Sequence, residues 1–386
     1  MTGQARKPQG PGKTVPREVV PLERYDVVII GAGFAGAATA WWLRRFGVNS
    51  VLILEQEPVP GAHASGKNAG MARQAVPEPI QCLLAARSVS FFKAPPEGFT
   101  QTPLFAENGG LFLAPEPEDP RLEQLRHNAL AAGVFTYFGE RLEVIEKAPI
   151  LQDAPFHSAL VCPTDGLVDI HSLLSAFLRG SALRTGVRVQ GFESSDGRLR
   201  SVKTGDGSIR CESVVLAAGA WSHQLGRLAG GLPVPVTPRR RHLIHSGPIP
   251  WADPSWPYVW CLNPEVYFRP ESGGFLLSPC DEAVFQAGSP PTDPEAPLWL
   301  ASRLSEAVPR MSSIPVARSW SELRCFTPDG EFCIGPDPIR ANLFWVCGLG
   351  GHGMTTSAAV GELAAQLITG SDPFLDPAPM APGRFA

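Results

Sequence analysis

No apolar run in the 386-residue chain approaches the ~20 residues that a membrane-spanning helix requires, so no transmembrane segment is expected. Nor does the N-terminal stretch carry the apolar core of roughly 7–15 residues that marks a secretory signal. No C-x-x-C pair occurs. The eight cysteines, Cys82, Cys162, Cys211, Cys261, Cys280, Cys325, Cys333 and Cys347, are scattered, and several lie in apolar runs. That pattern argues against a zinc site or a disulfide framework, and for buried free thiols in a reducing cytoplasm. No metal is expected. Neither sign of charge is in large excess: the formal net charge is -4 and the pI about 6.1. Nothing here calls for nucleic acid or an anionic membrane as partner. No internal repeat is visible.

What is present points to a folded enzyme with more than one domain. The length permits a large core and suggests two or three domains. The 39 glycines and 40 prolines make about a fifth of the chain, above average but short of a low-complexity composition. They imply many turns, concentrated between residues 230 and 300. Residues 1–24 are rich in Gly, Pro, Lys, Arg and Gln without apolar periodicity, and read as a disordered tail. Residues 373–386 read as a C-terminal tail.

Residues 25–36 read Tyr-Asp-Val-Val-Ile-Ile-Gly-Ala-Gly-Phe-Ala-Gly. Tyr25 to Ile30 suits a buried parallel strand. Gly31, Gly33 and Gly36 then supply G-x-G-x-x-G where a strand must turn into a helix. Such a turn lets the backbone approach a pyrophosphate, which the free N–H groups and partial positive charge of the helix N-terminus stabilise. Phe34 and Ala35 belong to that turn. Ser50 to Leu54 is the second strand, and Glu55 at its end lies 19 residues past Gly36, where an acid accepts ribose hydroxyls. Gln56 follows it. The competing reading is a glycine-rich turn in an ordinary α/β protein.

Downstream, helices are expected at Ala37 to Phe46, with Trp41 and Trp42 packed on the sheet, and at 80–92, 119–132 and 170–184, the last capped by Asp169. Val187 to Gln190, Ser201 to Lys203, Ile209 to Cys211 and Ser213 to Ala217 read as strands, with Asp206-Gly207 as a hairpin turn. Leu111 to Leu113 is a further strand, and 240–280 alternates as an antiparallel sheet would. Near the end, Leu343 to Cys347 is a buried strand. It runs into Gly348-Leu-Gly-Gly-His-Gly353 and an Ala-rich helix to about Leu367. A single NAD-binding domain would not need that second glycine-rich turn.

The chain resembles the D-amino-acid oxidase and glycine/sarcosine oxidase family of FAD-dependent oxidoreductases. The motifs that carry the likeness are Gly31-x-Gly33-x-x-Gly36 with Glu55, His63-Ala-Ser-Gly-Lys-Asn-Ala-Gly70, Leu216-Ala-Ala-Gly-Ala-Trp221, Leu323-Arg-x-x-Thr-Pro-Asp-Gly330 and Gly348 to Met354. They span about residues 24–372. Within the family, Phe91 to Phe99, Pro238-Arg-Arg-Arg241 and Val266-Tyr-Phe-Arg-Pro270 are similar to the D-arginine dehydrogenase-like group.

The resemblance implies an α/β fold: a Rossmann-like FAD domain of the glutathione-reductase type, with an inserted α+β substrate domain built on an antiparallel sheet. It divides the chain into a discontinuous FAD domain (25–90, 158–230, 325–372) and a substrate domain (91–157, 231–324). It places Ala64, Ser65, Gly66, Lys67, Asn68, Ala69, Gly70 and Met71 along the flavin ribityl chain and ring. Ala218, Gly219 and Trp221 form a second contact with the diphosphate and adenine side, with Phe192 and Glu193 near the adenine. Gly350, Gly351, His352, Gly353 and Met354 form the turn at the flavin pyrimidine edge, where a helix N-terminus stabilises the charge of the reduced ring. His352 has either a direct flavin role or a packing role.

The resemblance also implies a substrate carboxylate, which arginine holds in bidentate fashion. Arg324 is the first candidate, a plain salt bridge being the alternative. Strand alternation sets Arg240 opposite Arg239 and Arg241, and comparison with the D-arginine dehydrogenase-like group favours Arg240. Tyr267 is either the phenol that helps anchor the carboxylate or a core aromatic. The His and Tyr that the group carries on the flavin-side loop become Met71 and Val76, and its acid for a cationic side chain falls at Gly110. These departures argue against arginine or lysine as substrate. Arg73 and Gln74, on the same loop, could replace some polar contacts. Trp251, Trp256, Tyr258, Trp260 and Phe275 offer either an aromatic pocket or ordinary core. Cys325 lies near the position from which sarcosine oxidases attach FAD, but the linking position falls on Glu322, so noncovalent FAD is expected.

The expected activity is oxidation of the C–N bond of a D-amino acid or related carboxylate-bearing amine, by hydride transfer to flavin N5 and hydrolysis of the imine. Oxidation of a secondary amine of the sarcosine type, or of a 2-hydroxy acid, is the alternative within enzymes. A non-catalytic flavin-binding protein is the alternative outside them. The electron acceptor, oxygen or a quinone or other carrier, is left open.

Overall fold

A computed structural model describes residues 23–386. The expected N-terminal tail therefore lies outside the described residues except for Glu23 and Arg24, and Arg24 already belongs to the first strand, Arg24–Ile30. That strand is buried from Val27 onward, and it lies between Val51–Leu54 and Gly207–Leu216, parallel to both. The eight-stranded sheet runs, in spatial order, Val189–Ser195, Arg198–Thr204, Gly207–Leu216, Arg24–Ile30, Val51–Leu54 and Ala182–Arg184. Leu343–Cys347 adds in parallel to the end of Gly207–Leu216, and Cys333–Pro336 pairs with it antiparallel. The apolar runs at 27–30, 51–54 and 343–347 are buried on both faces, as parallel strands covered by helices must be.

The helix Phe34–Arg45 crosses this sheet against Ser357–Thr369. A Cβ at Gly361 would stand 2.6 Å from the Ala38 carbonyl carbon, so the two helices touch backbone to backbone there. Trp41 does not pack on the sheet as expected. It stands edge-on to Phe91, Phe99 and Phe177 at 5.5, 5.1 and 6.0 Å, in a cluster among three helices. Asp169 caps its helix, accepting from the His171 and Ser172 N–H groups. That helix stops at Leu178, not at 184: Gly180 takes φ +74°, and Ala182–Arg184 becomes an edge strand beside Val51–Leu54. The two strands read at 209–211 and 213–217 are one, Gly207–Leu216, and the hairpin before it turns through Gly205-Asp206, since Thr204 faces Gly207.

A second eight-stranded sheet is antiparallel except where Tyr258–Leu262 pairs parallel with Gly110–Ala114. Its order is Arg318–Phe326, Thr237–His245, Gly274–Ser278, Glu265–Glu271, Tyr258–Leu262, Gly110–Ala114, Ser158–Cys162 and Tyr137–Phe138. The helices Arg141–Lys147 and Ala296–Ala307, unread in the sequence, cover one face of it. Phe275 lies in this core with Trp256 packed against it, while Trp251, which touches both rings, is exposed. Residues 373–386 are docked rather than a free tail: Met380 is fully buried, and Arg384 bonds Asp329 and the Glu331 carbonyl. All eight cysteines are free, and seven are buried.

Candidate functional site

One cavity of about 400 Å³ runs from the glycine turn after the first strand to the inner face of the second sheet. At one end the chain leaves the strand through Gly31 at φ +108°, a conformation L side chains avoid. A Cβ there would also meet the Ala217 carbonyl oxygen at 2.4 Å. Gly33 is the N-cap of Phe34–Arg45 and has no side-chain cap. The Phe34 N–H donates to Ser65 Oγ (3.1 Å), and a Cβ on Gly33 would lie 2.8 Å from that oxygen. Glu55 accepts from the Ala32 N–H (2.8 Å) with one carboxylate oxygen and from the Glu57 N–H (3.0 Å) with the other. Each oxygen keeps a lone pair for a ribose hydroxyl. A helix N-terminus whose cap residue has no side chain, a cradle that Cβ atoms would fill and an acid at the next strand end fit the pyrophosphate and ribose of FAD.

Along the cavity wall runs the loop 61–71. Asn68 folds it, donating to the Ser65 carbonyl (2.7 Å) and accepting from the Gly70 N–H (2.8 Å). The second sheet holds it from outside: Trp320 donates to the Lys67 carbonyl (3.0 Å), and buried Arg269 donates to the Ala69 carbonyl. Glu322 bonds Lys67 and faces His63. The Glu322 carboxylate raises the His63 pKa against the effect of burial. Burial would raise Glu322 itself, but the bonds from His63 and Lys67 outweigh it and hold the carboxyl low.

The far end is built from Arg241, Tyr267, Arg324 and the turn Gly350–Gly353. Gly351 has φ +89°, and a Cβ on it would meet Arg324 Cδ at 2.6 Å, so the guanidinium stem lies flat against the turn. Arg239, Arg241 and Arg324 share one acid, Glu282. Burial and Arg241 bring Arg324 down to about 10, which leaves it charged at neutral pH. Burial pushes the Tyr267 phenol up, so it stays protonated. His352 is held well below its usual pKa by burial and by Arg73 and Arg324, so its ring is neutral. The Cys325 thiol is pushed up to about 12 by burial and is a poor nucleophile.

Most sequence-predicted residues meet at this cavity: Gly31, Gly33, Phe34, Ala35, Glu55, Gln56, Ala64, Ser65, Lys67 to Met71, Ala218, Gly219, Trp221, Tyr267, Arg324 and Gly350 to Met354 all line it. Four do not. Gly36 and Gly66 serve backbone packing: a Cβ would fall 2.0 Å from the Gly31 oxygen and 2.4 Å from the Gly61 oxygen, respectively. Glu193 is on the solvent side of its strand with Ser201 and Lys203. The strand starts two residues later than read, and Val187, Arg188 and Val189 line the cavity instead. Arg240 points away, bonded to Asp293 (3.0 Å) and the Pro291 carbonyl (3.2 Å). The alternation of Arg239-Arg240-Arg241 was legible, but the face was not, and it is Arg241 that lines the cavity. Of the five aromatics, Trp260 lines it, while Tyr258 fills the space beside Gly110, where a Cβ would stand 2.3 Å from the ring. Trp320, Glu322 and Arg73 also line the cavity. Of these, the sequence marks Arg73 as a polar replacement on the loop after Met71 and Glu322 only as the place where a linking cysteine would fall, and nothing local marks Trp320.

The geometry is that of a protein built to hold an extended dinucleotide against a cationic pocket. The family model for FAD dependent oxidoreductases matches residues 26–367, and the chain belongs to that family and is an FAD-dependent enzyme. Among curated relatives, the chain is 28% identical to glycine oxidase of Pseudomonas putida, covering 93% of this chain and 99% of that one. It is also 28% identical to FAD-dependent oxidoreductase domain-containing protein 1 of Xenopus laevis, covering 90% and 80%. Among solved structures, L-proline dehydrogenase of P. horikoshii shares the fold with a TM-score of 0.86 at 24% identity, over 94% of this chain and 98% of that one.

Proposed function

We propose that the enzyme oxidises the carbon bearing the amine in a small carboxylate-bearing amine, a D-amino acid or a glycine-type substrate, with noncovalently bound FAD. The observation that carries this reading is the cationic pole of Arg324 and Arg241 with the protonated Tyr267 hydroxyl, beside the Gly350–Gly353 turn. Three arginines against one glutamate leave positive charge for a ligand carboxylate to neutralise. When bound, FAD supplies the two-electron acceptor. The chain orients the substrate: the guanidinium fork fixes the carboxylate in a plane, the Tyr267 hydroxyl donates to it, and the cavity walls limit water. The glycine oxidase relative acts, by its name, on a substrate of this class. Gly110 packed against Tyr258 leaves no room for an acid that would read a cationic side chain, which supports excluding arginine and lysine.

The test is anaerobic mixing of the FAD-loaded enzyme with D-amino acids, glycine, N-methyl amino acids and 2-hydroxy acids, followed at the oxidised flavin band. Bleaching by amines with a free carboxylate, and not by their methyl esters, is expected. Bleaching by 2-hydroxy acids alone would replace the amine reading with the hydroxy-acid one.

A further inference from the structure

We infer that Arg73 reads a second acid group on the substrate, so that the amine oxidised here carries two carboxylates; this rests on the reading just given. Arg73 follows the loop 61–71, and its side chain lines the same cavity as Arg324. Its guanidinium lies over the Trp260 ring at 4.1 Å, with Phe112 at 5.9 Å. Among the described residues no carboxylate comes within ion-pair distance of it. Its side-chain hydrogen bond is to His352 Nε2, at 3.4 Å, and that imidazole is neutral. Asp165 and Glu78 both feel the Arg73 charge at longer range, and neither is bonded to it. One Asp165 oxygen accepts from the Gln74 backbone N–H (3.1 Å) and amide (2.9 Å), and the other from the Tyr258 hydroxyl (2.5 Å).

The pairing of charges argues the same way. A first substrate carboxylate can settle at Arg324 and Arg241, where Glu282 already supplies one negative charge. It leaves Arg73 without a directly paired carboxylate on the wall formed with Trp260, Asp165 and Glu78 acting on it only at longer range. Arg73 and Arg324 both depress the His352 ring, so two cations bear on one neutral group between loop and turn. A guanidinium placed over an indole face still has N–H groups to offer a carboxylate in bidentate fashion. The chemistry that fits is an aminodicarboxylic acid or an N-carboxyalkyl amino acid.

Two measurements on the FAD-loaded enzyme test this. First, non-oxidisable malonate, succinate and glutarate are titrated against propionate and butyrate, read by perturbation of the flavin spectrum. The best dicarboxylate is expected to bind about 100-fold tighter than its monocarboxylate counterpart, the scale of one charge-assisted bidentate contact. Arg73→Met should cut that ratio to within about threefold, and Arg73→Lys should restore part of it. Second, anaerobic flavin reduction is compared for D-aspartate, D-glutamate and iminodiacetate against D-alanine and sarcosine, which also tells a carbon-borne second acid from a nitrogen-borne one. Equal binding of mono- and dicarboxylates by the wild type overturns the inference, and needs no variant to fold. So does a ratio that Arg73→Met leaves intact while the flavin potential shifts, because Arg73 would then serve the flavin. Reduction by D-alanine or sarcosine but by no dicarboxylic amine overturns the inference and leaves the amine-oxidation reading standing, whereas no reduction by any amine, with Arg73-dependent dicarboxylate binding intact, preserves the site and sinks the amine-oxidation reading.

Discussion

Glu282 sets the charge at the substrate end of the cavity, because it is the acid that Arg239, Arg241 and Arg324 have in common. Burial alone would raise its pKa, and the three guanidinia overcome that and keep it ionised. Arg324→Ala is expected to leave FAD bound and to slow flavin reduction by a carboxylate substrate by about 2–5 kcal/mol of lost contact. Arg324→Lys should recover only part, since a point charge lacks the fork. Reduction kinetics of Arg324→Ala within about twofold of wild type would remove Arg324 from the site. Arg241→Ala should act in the same direction. Arg240→Ala should instead cost about 1–3 kcal/mol of stability through its ties to Asp293 and the Pro291 carbonyl, read in urea unfolding, without a selective loss of substrate affinity.

At the scale of elements, the loop 61–71 is a strap tied to the second sheet through Trp320, Arg269 and Glu322 and to the first helix through Ser65, and one of its ties titrates. His63 has a raised pKa, so its contribution is full below about 6.5 and fades as pH rises through the raised value. Glu322 has a lowered pKa, so its contribution is present above about 4.3 and fades as pH falls through the lowered value. Both are charged together in the window between. The melting-temperature gap between wild type and Glu322→Gln should be widest between about pH 5 and 6.5, narrowing at higher pH without vanishing, because Lys67 keeps its charge. A gap that widens from pH 6 to 9 would contradict the assignment. The crossing of Phe34–Arg45 on Ser357–Thr369 offers a second test. Gly361→Leu forces a side chain into the Ala38 backbone and should cost about 1–3 kcal/mol in urea unfolding.

For the whole molecule, the cofactor cavity joins the first sheet to the second, so FAD should stabilise both together. Apoprotein titrated with FAD to about 100 times its Kd should gain roughly 2.7 kcal/mol and melt in one transition. Gly33→Asp places a carboxylate at the uncapped helix N-terminus where the pyrophosphate belongs, and should abolish both the gain and the yellow colour. Acid precipitation should release free FAD, because the buried Cys325 thiol is neutral. Flavin retained in the pellet would mean a covalent link.

Local chemistry determined a good part of this protein from sequence alone. The β-α-β turn, Glu55 at its strand end, the Asp169 cap and the strand into Gly348–Gly353 are written in contiguous residues, because a tight turn, an apolar strand and a cap each need particular side chains at fixed short spacings. The tertiary structure decided what depends on which face a strand presents and on what arrives from far along the chain. Alternation in Arg239-Arg240-Arg241 holds from sequence. Yet only the pairing with Arg318–Phe326 and the loop carrying Asp281 and Glu282 put Arg241 toward the cavity and Arg240 toward Asp293. Gly180 ended a helix that periodicity carried on to 184, and Trp41 found aromatic partners 50 and more residues away in place of the sheet. Arg73 is an ordinary loop cation by its neighbours in sequence. It becomes a guanidinium with no directly paired carboxylate only because Trp260 and His352, distant in the chain, close around it while Asp165 is bonded to Gln74 and Tyr258.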